Sequence, residues 1–161
     1  MKVVSYLKAL GFSNDLSSFS ERKRIQKIAY LLKQFDPSDA DLRFGFNWYL
    51  HGPYSPQLAS VLFNATPEDV ASVIPEADLS VINKIRNFLA EDLYSVDSLE
   101  LVVSVIYLIK HGQERDLGSR KQIEEFLLAK KPQFCHDEFE RSWLKIVSSH
   151  MWDKELSKLH N

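Results

Sequence analysis

A mainly α-helical fold, one compact bundle of about seven or eight helices with a short β-hairpin or extended arm near residues 42–52, is what the sequence predicts. Three observations lead there. Apolar residues recur at helical spacing in segment after segment, recognisable cap residues open several of those segments, and one stretch, Phe44–Leu50, changes to a two-residue repeat. With 161 residues the chain is long enough for one core and short for two, so residues 1–161 are expected to form a single domain.

Val3, Val4, Leu7 and Leu10 share a helical spacing, and Gly11 follows as a stop. Ser18 and Glu21 stand at capping-box spacing and open a helix expected to end near Phe35, before Asp36-Pro37. Ile25, Ile28, Ala29, Leu32 and Phe35 fall on one face of it, with Lys23, Gln26, Lys27, Tyr30 and Gln34 opposite. Phe44, Phe46, Trp48 and Leu50 then alternate with Gly45, Asn47 and Tyr49, as in a half-buried strand that Gly52-Pro53 stops. Such a strand needs a partner, either local or from a second chain.

Ser55 caps a helix whose first residue is Pro56, where a missing amide costs nothing, and that helix runs through Phe63. Thr66-Pro67-Glu68-Asp69 repeats the logic and opens a helix at Val70–Ile74. Asp78 is expected to cap another through Leu89, with Leu79, Ile82, Ile85 and Leu89 inward. The segment from Leu99 to Lys110 is apolar almost all round, with Glu100 and Ser104 as its polar strip and Tyr107 beside it, so it belongs at the centre. Ser119–Lys130 and Asp137–Val147 read as amphipathic helices around Lys131-Pro132, and His150–Asn161 as a final helix or a frayed end.

The formal net charge of −2 supplies no global basic field for nucleic acid, which leaves a local basic face as the only electrostatic route to DNA. Arg22, Lys23, Arg24 and Lys27 scatter over a wide arc of their helix and read first as solvated surface. The single cysteine, Cys135, excludes an internal disulfide and fits a reducing, cytoplasmic compartment. No apolar run reaches bilayer length, and the N-terminal stretch, interrupted by Ser5 and Lys8, is too short for a secretory signal.

No glycine-rich phosphate loop, nucleophile elbow or HExxH motif occurs, so no catalytic residue, cofactor site or metal site is assigned. Cys135-His136 are neighbours in sequence, whereas nucleophile and base usually come from distant positions. The five histidines show no ligand spacing with one another or with the cysteine. Glu100, on the most apolar helix, must be paired or have a raised pKa; the structural reading is a buried pair with Lys27, Arg24 or the His51–Ser55 turn. In His51-Gly52-Pro53-Tyr54-Ser55-Pro56, the amides of the helix that follows either receive an anion or partner carboxylate or are satisfied by Ser55 and a neighbour.

Three blocks, RIQKIAYLLK at Arg24–Lys33, FNWYLHGPYSPQLASVL at Phe46–Leu62 and LELVVSVIYL at Leu99–Leu108, resemble the YwgA-like proteins and, more distantly, the SocA/Panacea antitoxin domain. The resemblance runs in order over roughly 18–110, and the Gly-Pro turn block is its specific part. Gln26, Lys27 and Tyr30 match the first-helix motif, and Trp48, Tyr49, Gly52, Pro53 and Pro56 the turn motif. The characteristic ending of the SocA-like branch has no counterpart in this chain.

The resemblance implies a small, mainly helical, non-enzymatic protein. In the SocA-like branch such domains neutralise toxins, in one type by delivering them to a protease, and some relatives are labelled transcriptional regulators. The expectation is therefore a protein-interaction or regulatory module whose partner is a toxin, a protease or a regulatory target. Its partner-binding residues would be Lys27, Tyr30, Tyr49, His51, Gly52, Pro53 and Tyr54. The alternative is a winged-helix-like DNA-binding regulator, with the helix at Arg22–Lys33 or Pro56–Phe63 in a groove and the hairpin as wing.

Overall fold

The computed structural model describes residues 2–13 and 15–160. Nine α-helices among them and one two-stranded antiparallel hairpin make the structure 69% helical, so the protein is mainly α. Contacts group the chain into two compact units, Met1–Glu100 and Leu101–Asn161, and the division falls inside a helix. No helix is long and apolar enough to cross a membrane among the described residues.

The first unit begins with α1 (Lys2–Ala9), which buries Val3, Val4, Tyr6 and Leu7. Gly11 takes a φ of +86°, where a side chain is strained, and lets the Phe12 N–H return to the Leu7 carbonyl at 3.0 Å. Lys2 reaches Asp39, which lies beyond the second helix, just before the Ala40–Leu42 turn. Burial pushes the Asp39 carboxyl up, but the Lys2 hydrogen bond and the Asp41 amide outweigh it and hold the group below its usual range.

Helix α2 (Phe19–Phe35) starts and stops where its sequence says. Its cap is half a capping box: Ser18 accepts the Glu21 N–H, while the Glu21 carboxylate accepts the Ser13 N–H and pairs with Arg24. On the apolar face Ile25, Ile28, Ala29 and Leu32 are buried as expected, and Phe35 at the helix end is half-buried. The expected polar face is buried too at Gln26, Lys27 and Tyr30, which are 4%, 1% and 2% exposed.

The extended segment also differs from its sequence reading. Strand β1 (Asn47–Tyr49) is short, and its partner β2 (Gly52–Tyr54) is built from the Gly-Pro pair that reads as a stop. The register pairs Asn47 with Tyr54, Trp48 with Pro53 and Tyr49 with Gly52, leaving Leu50 and His51 as the connection. Leu50 therefore stands at the tip, 81% exposed, instead of continuing the buried alternation. The partner strand is local, and no second chain is needed to complete the ladder.

Helix α3 (Pro56–Phe63) opens with Ser55 accepting the Leu58 N–H at 3.2 Å. A complete capping box between Thr66 and Asp69 opens α4 (Pro67–Ala71). The sequence reading carries that helix to Ile74; the chain is already extended at Ser72, and Pro75 separately disfavours helical backbone at Ile74. Helix α5 (Leu79–Leu89) buries Val81, Ile82, Ile85 and Leu89, while Leu79 faces out. Asp78 makes no cap bond there and lies 3.6 Å from the Lys2 ammonium instead. Within this unit α2 packs against α1, α5 and β2.

Helix α6 (Val96–His111) spans the division, and every residue from Leu99 to Ile109 is buried, Glu100 and Ser104 included. The second unit continues with α7 (Arg120–Lys130), capped by Ser119, then α8 (His136–Ser149) and the short α9 (Asp153–Leu156). Helix α7 lies against α8, and in α8 Phe139 and Trp143 stack at 5.7 Å. The His160 N–H closes onto the Gly118 carbonyl at 2.9 Å, so the end of the described chain returns to the start of α7.

Candidate functional site

The first unit holds a cleft of about 530 Å³ between the first half of α2, the β1–β2 hairpin and α3. Its construction follows from polar residues that α2 turns inward. Gln26 clamps Ser55 from both sides: its Nε2 donates to the Ser55 carbonyl at 3.0 Å, and its Oε1 accepts the Ser55 N–H at 2.8 Å. The Lys27 ammonium donates to the Pro53 carbonyl at 2.8 Å. Gly52 supplies the left-handed residue after the hairpin tip, with φ +87°. The turn thus has its backbone groups answered by α2, and burial makes each of these bonds costly to lose.

Glu100 closes the same network. Its side chain is fully buried, 3.2 Å from the Lys23 ammonium and 3.4 Å from His51 Nδ1. Glu100 is thus a buried carboxylate with basic neighbours. His51 belongs to the expected turn, and Lys23 joins it. Arg24 is engaged elsewhere, by Glu21 at 2.9 Å and by the Leu93 carbonyl at 3.0 Å. The Leu58 amide at the start of α3 is likewise met from inside, by Ser55 Oγ, which is the internal alternative to an anion site.

The walls of the cleft are apolar and aromatic. Phe19 meets His51 edge-on at 5.2 Å, and Tyr49 meets Tyr54 in the same manner at 5.2 Å. Leu62 and Ala59 of α3 complete the lining. Leu50 at the hairpin tip and Phe63 at the end of α3 also line it, 81% and 82% exposed. At the lip, Arg22 Nη1 donates to the Leu16 and Ser17 carbonyls at 2.6 and 3.1 Å, which holds the guanidinium beside Phe19.

The structure brings Tyr49, His51, Gly52 and Tyr54 together with Lys27 around this cleft. Two expected surface residues are corrected. Lys27 contributes from within, with its ammonium on Pro53, and Tyr30 is buried edge-on to Phe46 at 5.2 Å. Pro53 is buried too and acts as the acceptor for Lys27. The sequence reading misses Phe19, Leu50 and Phe63. Their signal was available only as large apolar residues at a cap, a tip and a helix end, where a helical wheel or strand alternation assigns no face.

The second unit contains an arrangement that the search for His–His and His–Cys spacing also misses. Glu124 of α7 and His136 and Glu140 of α8 place one ligand-type atom each within 4.8 Å of one another. His136 and Glu140 are one helical turn apart, and Glu124 comes from the neighbouring helix. Arg120 pairs with Glu140 and His136 Nδ1 contacts Glu124, so the acidic groups are met by side chains of the same two helices.

No protein-family model, curated protein or solved structure matches the chain.

Proposed function

We propose that this protein is a non-enzymatic protein-interaction or regulatory module of the antitoxin or adaptor kind, as its resemblance to YwgA-like and SocA-like proteins suggests. It would work by binding one cytoplasmic protein partner without turnover. The observation that carries the reading is the cleft between α2, the hairpin and α3, in which an apolar interior is flanked by exposed Leu50 and Phe63. Large apolar side chains left in solvent around a pocket mark a surface that another molecule covers. The exposure runs beyond the cleft onto its two edges, which suits a polypeptide lying across it better than a small molecule held inside. The buried clamp of Gln26 and Lys27 supports the reading by holding the hairpin in place, so little order is lost on binding.

A DNA-binding regulator draws less support. Of the basic residues of α2, Lys27 is buried, Lys23 faces Glu100 and Arg24 is taken by Glu21 and Leu93. Titration of duplex DNA at low salt tests it directly, since phosphate contacts show as a steep salt dependence.

The test of the preferred reading is selection from a displayed peptide library on the wild-type protein, with counter-selection on Ala59→Trp, whose indole fills the cleft. Enrichment of sequences bearing large apolar residues is expected. A selection that yields nothing specific to the open cleft overturns the reading.

A further inference from the structure

We infer that the segment received by this cleft is acidic as well as apolar, with a carboxylate beside its apolar anchors that is read by Arg22. The inference rests on the protein-interaction reading and names the chemistry of the partner. Three cationic side chains, Arg22, Lys23 and Lys27, line the cleft together with His51, and among the described residues no carboxylate lines it. The acid that meets this group, Glu100, is fully buried behind the surface and lies against Lys23 and His51. The cleft is therefore a cationic patch on a protein whose formal net charge is −2. An incoming acidic segment is steered toward it, and an incoming basic one is repelled.

Arg22 is the side chain placed to make this contact. It is exposed at the lip, unlike Lys27, and among the described residues it faces no acid in the way Lys23 faces Glu100. Among the described residues both of its hydrogen bonds, to the Leu16 and Ser17 carbonyls, use the same nitrogen, Nη1. They fix the guanidinium at the lip while its remaining N–H groups stay available to a carboxylate. A planar fork held in advance loses less freedom on binding and recognises a carboxylate through paired bonds. The Phe19 ring, 5.7 Å from the guanidinium carbon, extends the apolar wall up to that charge. An apolar side chain followed closely by Asp, Glu or a free C-terminus fits both features at once.

The same library selection, read for charge, separates this inference from the reading it rests on. Peptides that combine large apolar residues with Asp, Glu or a terminal carboxylate are expected. For a selected peptide, Glu→Gln or Asp→Asn in the peptide and Arg22→Gln in the protein should each weaken binding roughly tenfold, the size of one charge-assisted contact. The two changes together should cost little more than either alone, and higher salt should weaken only the acidic peptide. Thermal melting of Arg22→Gln, unchanged from wild type, confirms that the contact and not the fold was altered. Apolar peptides without acids, or with lysine, leave the cleft reading intact and overturn the inference. No cleft-specific peptide overturns both. Duplex DNA lost with Arg22→Gln, or a concentration-dependent dimer abolished by Ala59→Trp, would assign the patch to phosphate or to a second copy and also overturn it.

Discussion

Two polar clusters of this protein have similar chemistry and opposite surroundings. In the first unit, Gln26, Lys27 and Glu100 make their contacts while 4%, 1% and 0% exposed. In the second, Arg120, Glu124, His136 and Glu140 form a charged cluster on the outer faces of α7 and α8, where side-chain exposure ranges from 19% to 63%. Removing a partner from the buried group leaves a charge or an amide without water. Removing one from the exposed group lets solvent replace it. The comparison separates polar residues that hold the fold from polar residues that decorate it, and residue type does not make that distinction.

The sharpest way to break the comparison is Glu100→Ala. It removes the carboxylate between Lys23 and His51, and a buried pair broken on one side should cost about 3–5 kcal/mol. Urea unfolding with an unchanged slope and a much lower midpoint is the expected result. An unchanged midpoint would show that the network contributes no net stability.

Gln26→Leu is expected to cost somewhat less, about 2–4 kcal/mol, because it conserves volume but orphans both the N–H and the carbonyl of Ser55. Amide hydrogen exchange localises the effect: faster exchange at Ser55 with little change in α8 is the signature of a loosened hairpin. Uniform acceleration over the whole chain would mean that the clamp belongs to global stability and not to the cleft.

His136→Ala should have the smallest effect, within about 1 kcal/mol, as exposed contacts to carboxylates generally do, and urea unfolding checks it. A loss as large as that of Glu100→Ala would erase the contrast between the clusters.

Local chemistry made much of the fold legible. Ser18, Ser55 and Thr66 each cap the helix they announce, Phe35 ends α2, and the all-apolar segment from Leu99 is the buried helix. These features are written within a few residues of one another. The errors arise where distant segments meet. Gln26 and Lys27 read as solvent-facing because a helical wheel sorts residues by polarity, and it carries no information that a backbone turn twenty-six or more positions later will bond to them. For the same reason Gly52-Pro53 reads as the end of a strand when it is the partner strand. Half of the candidate site was visible as a concentration of aromatics around the Gly-Pro turn. Its apolar edges at Leu50 and Phe63, and its charged lip at Arg22, required the geometry of the hairpin against α2 and α3.

The bond between Lys27 and the Pro53 carbonyl carries a consequence for covalent labelling. A lysine whose terminal nitrogen is covered and held by a carbonyl is out of reach of acylating reagents, whereas Lys121, with a side chain 83% exposed, should be modified early. Lys27 should therefore be among the last lysines acylated in the native protein. Its appearance in a mass spectrum would record each moment at which the hairpin lifts from α2, a clock for that motion that needs no added probe.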